Sequence, residues 1–268
     1  MSQWIRTVAR WDSSHPDVRR VIETLDRMGD HPYRTNALLV GEAGTGKEGL
    51  ARALHAAMYG AAVAPFVPVN AVGRDADALR RELVDGGLLA RADGGTLFLD
   101  EIADLPGETQ LLLTRALRKG EIPTRRGTRK VAVTVVACTE RDLEGMVRRH
   151  EYRHDFFYRL ARLVLRLPPL RERPADVARA AIWIANRVFG VHGKGRALVS
   201  EGEKPEPGDV VLTHGASAAL QAHTWPGNYR ELEAVLERAL LLHGGGAALT
   251  EAHVRAALDV PHGGERAS

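Results

Sequence analysis

The stretch Gly41-Glu42-Ala43-Gly44-Thr45-Gly46-Lys47 constrains this chain more than any other. It carries the spacing GxxxxGK between the apolar run Ala37-Leu38-Leu39-Val40 and a helix-period segment from Glu48 to Tyr59. That order predicts a strand, a loop and a helix. Glycines let such a loop curl so that successive backbone N–H groups and the helix N-terminus face an anion, while Lys47 reaches the β- and γ-phosphates as a point charge. The segment predicts a nucleoside triphosphate site; the alternative is an ordinary βα turn. Glu48 stands where such loops usually carry a hydroxyl for Mg2+.

A second acidic strand follows in Gly94-Gly95-Thr96-Leu97-Phe98-Leu99-Asp100-Glu101. A carboxylate at the C-terminal end of a buried parallel strand sits where open α/β sheets bind ligands. Asp100 is expected to hold Mg2+ through its water shell, and Glu101 to polarise the attacking water. The other reading makes Asp100 an N-capping residue for the helix expected at 108–119.

At 268 residues, 44% hydrophobic and 26% charged, the chain can bury a large core, divided as one α/β domain and a small appendage. No run reaches transmembrane length, and the segment 1–10 lacks an apolar signal-peptide core, so the cytoplasm is the expected location. A single cysteine, Cys138, excludes an internal disulfide framework and, lying within an apolar strand, is expected to pack in the core. The formal charge of +3 is too mild to argue nucleic-acid binding by itself.

Apolar strands alternating with helix-period segments predict a doubly wound parallel sheet. Strands are expected at 37–40, 66–70, 96–100, 131–139 and 163–167, with helices near 15–28, 46–59, 75–83, 108–119 and 152–160. After Pro168-Pro169 the strand signals stop. Helices are then expected near 175–189, 215–223, 228–242 and 250–258, with a mobile surface loop at 190–209. The division is a nucleotide-binding α/β core over 1–170, a helical lid over 171–260 and a frayed tail over 261–268.

These motifs, together with Leu167-Pro168-Pro169-Leu170-Arg171-Glu172-Arg173-Pro174 and Trp225-Pro226-Gly227-Asn228-Tyr229-Arg230-Glu231-Leu232-Glu233, resemble the AAA+ ATPase domain of bacterial sigma-54-dependent transcription activators, over most of the chain. The pair Lys47-Glu48 is itself characteristic of that family. The resemblance implies ATP and Mg2+ as ligands, with Gly41, Glu42, Ala43, Gly44, Thr45, Gly46, Lys47 and Glu48 as the phosphate loop. It also implies a ring, typically hexameric, in which a neighbouring subunit completes the site. Arg153 and Arg159 match the arginine fingers supplied in trans, or else are solvated arginines. Arg230 matches the sensor arginine of the lid, or else is a surface arginine on an amphipathic helix. Asn70 matches the residue that couples the catalytic glutamate to ligand state, or else satisfies a turn.

Two departures bear on function. The family's sigma-gripping GAFTGA loop is absent between Asn70 and Gly94, which argues against the usual contact with sigma-54 polymerase. The family's Thr-Asn sensor reads Thr139-Glu140, where a carboxylate near the γ-phosphate is repelled unless it points away or pairs with an arginine such as Arg141. Neither a sensory nor a helix-turn-helix domain is expected in this chain, so regulation and DNA targeting are expected from partners. The basic turn 124–130, at a pore-facing hairpin of the family, meets nucleic acid or an acidic protein, or is simply solvated. Three functions follow: an ATP-hydrolysing ring enzyme that remodels an unidentified protein partner, a regulator acting on sigma-54 polymerase through partners, or an ATP-gated assembly module with weak hydrolysis.

Overall fold

The computed structural model describes residues 13–31, 33–60, 62–124, 127–191 and 196–259. The segment 1–10, the tail 261–268, Arg125 and Arg126 of the basic turn, and 192–195 of the expected loop lie outside the described residues. Two compact units are present. Among the described residues, the first comprises 16–42 and 46–167; the second comprises 168–259, with 13–15 and 43–45 grouped with it.

The first unit is built on β1 (Ala37–Val40), β2 (Phe66–Asn70), β3 (Thr96–Asp100), β6 (Thr134–Thr139) and β7 (Leu163–Arg166), all parallel, in the order β2-β3-β6-β1-β7. Every residue of β6, the middle strand, is buried. An unbroken run of Val, Ala, Cys and Thr suits a strand covered on both faces. Side chains of β1 alternate between two cores. Ala37 and Leu39 join Val21 and Leu25 of α1 (Pro16–Asp30) and Leu50 and Leu54 of α2 (Lys47–Tyr59). Leu38 joins the opposite core with Leu113 of α5 (Gly107–Lys119) and Phe156 of α7 (His154–Leu160). The register Val40↔Thr139, Val40↔Arg166 and Asn70↔Asp100 puts the strand C-termini on one edge.

Several expected boundaries shift. Strand β6 starts at Thr134, because Val131 N donates to Gly120 O (2.8 Å) and Ala132 N to Asp93 Oδ1 (2.7 Å), which ties this stretch to loops rather than to the sheet. The expected helix 75–83 is α3 (Ala76–Arg80), capped by Asp75 Oδ1 on Ala78 N at 2.7 Å, and it continues as a π-turn over Arg81–Asp85. A short α4 (Leu88–Arg91) leads on to β3. The basic turn joins an antiparallel hairpin of β4 (Glu121–Thr124) and β5 (Gly127–Lys130), whose second strand is exposed throughout. Between β6 and α7 lies α6 (Leu143–Arg148).

The second unit corrects one expectation. Strand signals do not stop at Pro169: β8 (Leu198–Ser200), β9 (Val210–Leu212) and β10 (Ala248–Leu249) form a small parallel sheet in the order β10-β9-β8. Leu198 is fully buried, so the expected loop 190–209 contributes to the core. Strands of two or three residues are shorter than the window over which alternation is legible. Around them pack α8 (Pro174–Val191), α9 (His214–Ala222), α10 (Asn228–Leu242) and α11 (Glu251–Leu258). Asn228 is buried and accepts at Oδ1 from Leu170 N (2.8 Å). Its Nδ2 donates to Ala43 O (2.9 Å), and Tyr229 N donates to Gly44 O (2.9 Å), which accounts for the grouping of 43–45 with this unit.

Trp225 is the largest fully buried side chain, and its Nε1–H donates to Leu220 O at 2.7 Å. Trp225→Ala removes the centre of this core and leaves Leu220 O without that donor. The expected cost is about 3–5 kcal/mol, seen as a lower denaturant midpoint for the second unit's transition.

Candidate nucleotide-binding site

The loop after β1 is pinned by Gly41 N donating to Thr139 O at 3.2 Å. Gly46 has φ 97° and opens α2, whose first residue is Lys47. A side chain at that φ is strained, so the position requires glycine. Lys47 is 7% exposed; its Nζ donates to Gly41 O (2.7 Å) and Glu42 O (3.1 Å). The same Nζ lies 3.6 Å from Glu101 Oε1 and 3.7 Å from Glu140 Oε1. One buried ammonium thus gathers the loop, the end of β3 and the end of β6.

Asp100 closes β3, and Oδ1 accepts from the Cys138 thiol at 2.7 Å. Glu101 follows at φ 51°, a left-handed conformation uncommon for a residue with a Cβ, and it opens a short 3-10 turn over Ile102–Asp104. Its Oε2 accepts from Glu140 N at 3.4 Å. Burial pushes the Glu101 carboxyl up, and the Lys47 charge opposes that shift. Burial likewise pushes the Cys138 thiol up, reinforced by its bond to Asp100, so the sulfur stays protonated. Ligand atoms of Asp100, Glu101 and Cys138 lie within 4.8 Å of one another. Two hard carboxylates beside a protonated thiol suit Mg2+ rather than a thiophilic metal. The Lys47 ammonium and the glycine curve suit phosphate oxygens.

Asn70 pairs in register with Asp100, and its Oδ1 accepts from Val72 N at 2.8 Å, closing a turn. Glu48 is exposed and pairs with Arg52 at 2.8 Å, one helical turn on. Arg153 precedes α7, with its guanidinium bidentate on Asp155 at 3.0 and 2.9 Å. Arg159 lines a cavity of about 230 Å3 with Arg34 and Arg162, where β1, β6 and β7 begin. That is the sheet edge opposite Lys47. Arg230 is exposed near the start of α10, in the second unit.

Two contacts were not anticipated. Glu140 engages Lys47, whereas Arg141, one arginine it could have paired with, is held by Asp104 at 3.1 Å. Cys138 is buried as expected, but it also bonds to Asp100. The signal for it was register: Leu99 pairs with Ala137, so the next residues of β3 and β6 are neighbours.

The chain is similar to known proteins along most of its length. Residues 12–166 match the sigma-54 interaction domain, and residues 198–267 match the AAA+ ATPase lid domain. The Nif-specific regulatory protein of Azotobacter vinelandii is 35% identical over 244 residues, covering 85% of this chain and 43% of that protein. The transcriptional regulatory protein FlbD of Caulobacter vibrioides is 37% identical over 245 residues, covering 86% of this chain and 50% of that protein. The chain therefore spans about half the length, or less, of these relatives. The crystal structure of NtrX from Brucella abortus in complex with ADP superposes with TM-score 0.75 at 28% identity, covering 98% of this chain and 59% of that one. The same protein in complex with ATP gives 0.75 at 29%, with the same coverage. With its parallel-sheet core followed by a small helical lid, the chain belongs to the sigma-54 interaction domain family of AAA+ ATPases.

Proposed function

We propose that this chain binds and hydrolyses ATP with Mg2+ in an oligomeric ring, probed by a neighbour's arginine, and that the nucleotide cycle drives conformational change in a partner protein. The observation that carries this reading is the meeting of Lys47, Asp100 and Glu101 at one end of the sheet. Lys47 holds phosphate oxygens once it leaves the Gly41 and Glu42 carbonyls. Asp100 orients the metal shell. Glu101 polarises the attacking water, and Asn70, on the neighbouring strand, links its position to ligand state. Bound Mg2+ supplies charge neutralisation on the phosphate oxygens. Arg153 and Arg159 serve the neighbour's site rather than their own, in keeping with Arg159's place on the far edge of the sheet. Arg230 reports nucleotide state to the lid.

Transcription control through sigma-54 polymerase is the second reading, favoured by the regulators among the relatives. The missing GAFTGA loop favours another protein contact, or one made through partner subunits. No helix among the described residues is long and apolar enough to cross a membrane, in keeping with action in the cytoplasm. The test is steady-state ATP turnover across a protein dilution series: turnover per chain should rise with concentration as rings assemble. Lys47→Ala should weaken ATP binding about 10- to 100-fold, the worth of one or two charge-assisted hydrogen bonds. Concentration-independent turnover, or unchanged binding in the variant, counts against the reading.

A further inference from the structure

Glu140 faces Lys47 yet has no part in the chemistry just described. Its carboxylate is 3.7 Å from Lys47 Nζ, while its own backbone N–H donates to Glu101. The bend that delivers it is fixed from below: Thr139 is fully buried, and its Oγ1 accepts from Arg141 N at 3.1 Å. The adjacent Arg141 is held by Asp104 at 3.1 Å. Among the described residues, Lys47 is the cation with which Glu140 pairs.

We propose that Glu140 sets nucleotide preference: its carboxylate is a built-in anion on Lys47 that a triphosphate must displace, so the chain favours ADP over ATP. The inference rests on the site being a nucleotide site. The phosphate that takes Lys47 leaves Glu140 without its counter-charge in either nucleotide, but the γ-phosphate of ATP adds a second anion beside it. A diphosphate lacks the group that adds this repulsion. Lys47 is 7% exposed, so its charge is poorly screened; Glu140 is 43% exposed, which tempers the penalty. Glu101 shares Lys47 too, but any ATPase of this design must carry that carboxylate. Glu140 is the additional one, and removing its charge leaves the remaining machinery in place.

The test is calorimetric titration of the whole chain with ATP and with ADP, each with Mg2+, for the wild type, Glu140→Gln and Glu140→Asn. Both substitutions remove the charge from a half-exposed side chain, so the fold should be retained. The ATP-to-ADP affinity ratio should rise about tenfold in each variant, mainly through tighter ATP binding, for one partly screened like-charge contact. In the wild type the ratio should rise with ionic strength, and in the variants much less. An unchanged ratio with normal binding of both nucleotides overturns the selectivity role alone. Weaker ATP binding in Glu140→Gln also overturns it, by making the carboxylate a ligand for the metal. Folded protein that binds neither nucleotide overturns the selectivity role together with the nucleotide reading beneath it.

Discussion

Glu101→Gln should lower ATP turnover about 10²- to 10⁴-fold, the usual contribution of a positioned general base, while ATP remains bound. The substitution keeps the size and hydrogen-bonding capacity of the side chain, so the 3-10 turn over Ile102–Asp104 and the bond from Glu140 N can persist. It does not relieve the φ of 51° at this position, because glutamine meets the same backbone restriction. What it removes is the charge that orients water and the negative neighbour of Lys47. ATP affinity should therefore hold or rise as hydrolysis falls. Single-turnover hydrolysis, with binding measured in parallel, separates these effects. Hydrolysis within tenfold of wild type would move the base elsewhere, and Glu140, the other carboxylate on Lys47, is the first place to look.

The meeting of Lys47, Asp100 and Glu101 was legible because each part of it is local. An apolar run, a glycine loop and a helix are contiguous at 37–59, and Asp100-Glu101 end a run whose burial the residues themselves announce. The parallel core followed from the same alternation of strands and helices. What escaped notice required partners distant in sequence. Glu140 pairs with Lys47 rather than with its neighbour Arg141 because β6 lies beside β1. The Cys138–Asp100 bond depends on β3 and β6 pairing in one particular register. The stretch 131–133 is apolar because Val131 is buried, not because it pairs in the sheet, so hydrophobicity alone extended the strand too far. In the second unit, β8 and β9 are too short to show a period. Arg153 had its partner in plain view two residues on, but an exposed pair of that kind says little about where the guanidinium goes when a neighbouring subunit arrives.

Arg153→Ala should reduce ATP turnover about 10³- to 10⁵-fold, the range for a cation delivered in trans to a transferring phosphoryl group, without weakening the fold. The second half of that expectation comes from exposure. The Arg153–Asp155 pair lies at the surface, where ion pairs contribute at most a fraction of a kcal/mol up to about 1 kcal/mol. A thermal midpoint close to wild type should therefore accompany the loss of turnover. The decisive measurement mixes this variant with Glu101→Gln. Each is inactive as a ring of its own, for opposite reasons. In a head-to-tail ring assembled at random from equal amounts, about one interface in four joins an intact Glu101 to a neighbour's intact Arg153. Turnover in the mixture should then recover to about a quarter of wild type, if interfaces fire independently. Mixed rings that form, as shown by co-purification of differently tagged chains, yet stay inactive would place Arg153 in its own subunit's site or outside the chemistry altogether. The Asp155 carboxylate supplies the internal control. Asp155→Asn frees the guanidinium without removing it, so an arginine that must leave Asp155 to work should lose nothing, whereas one that Asp155 aims should lose turnover along with its bidentate hold.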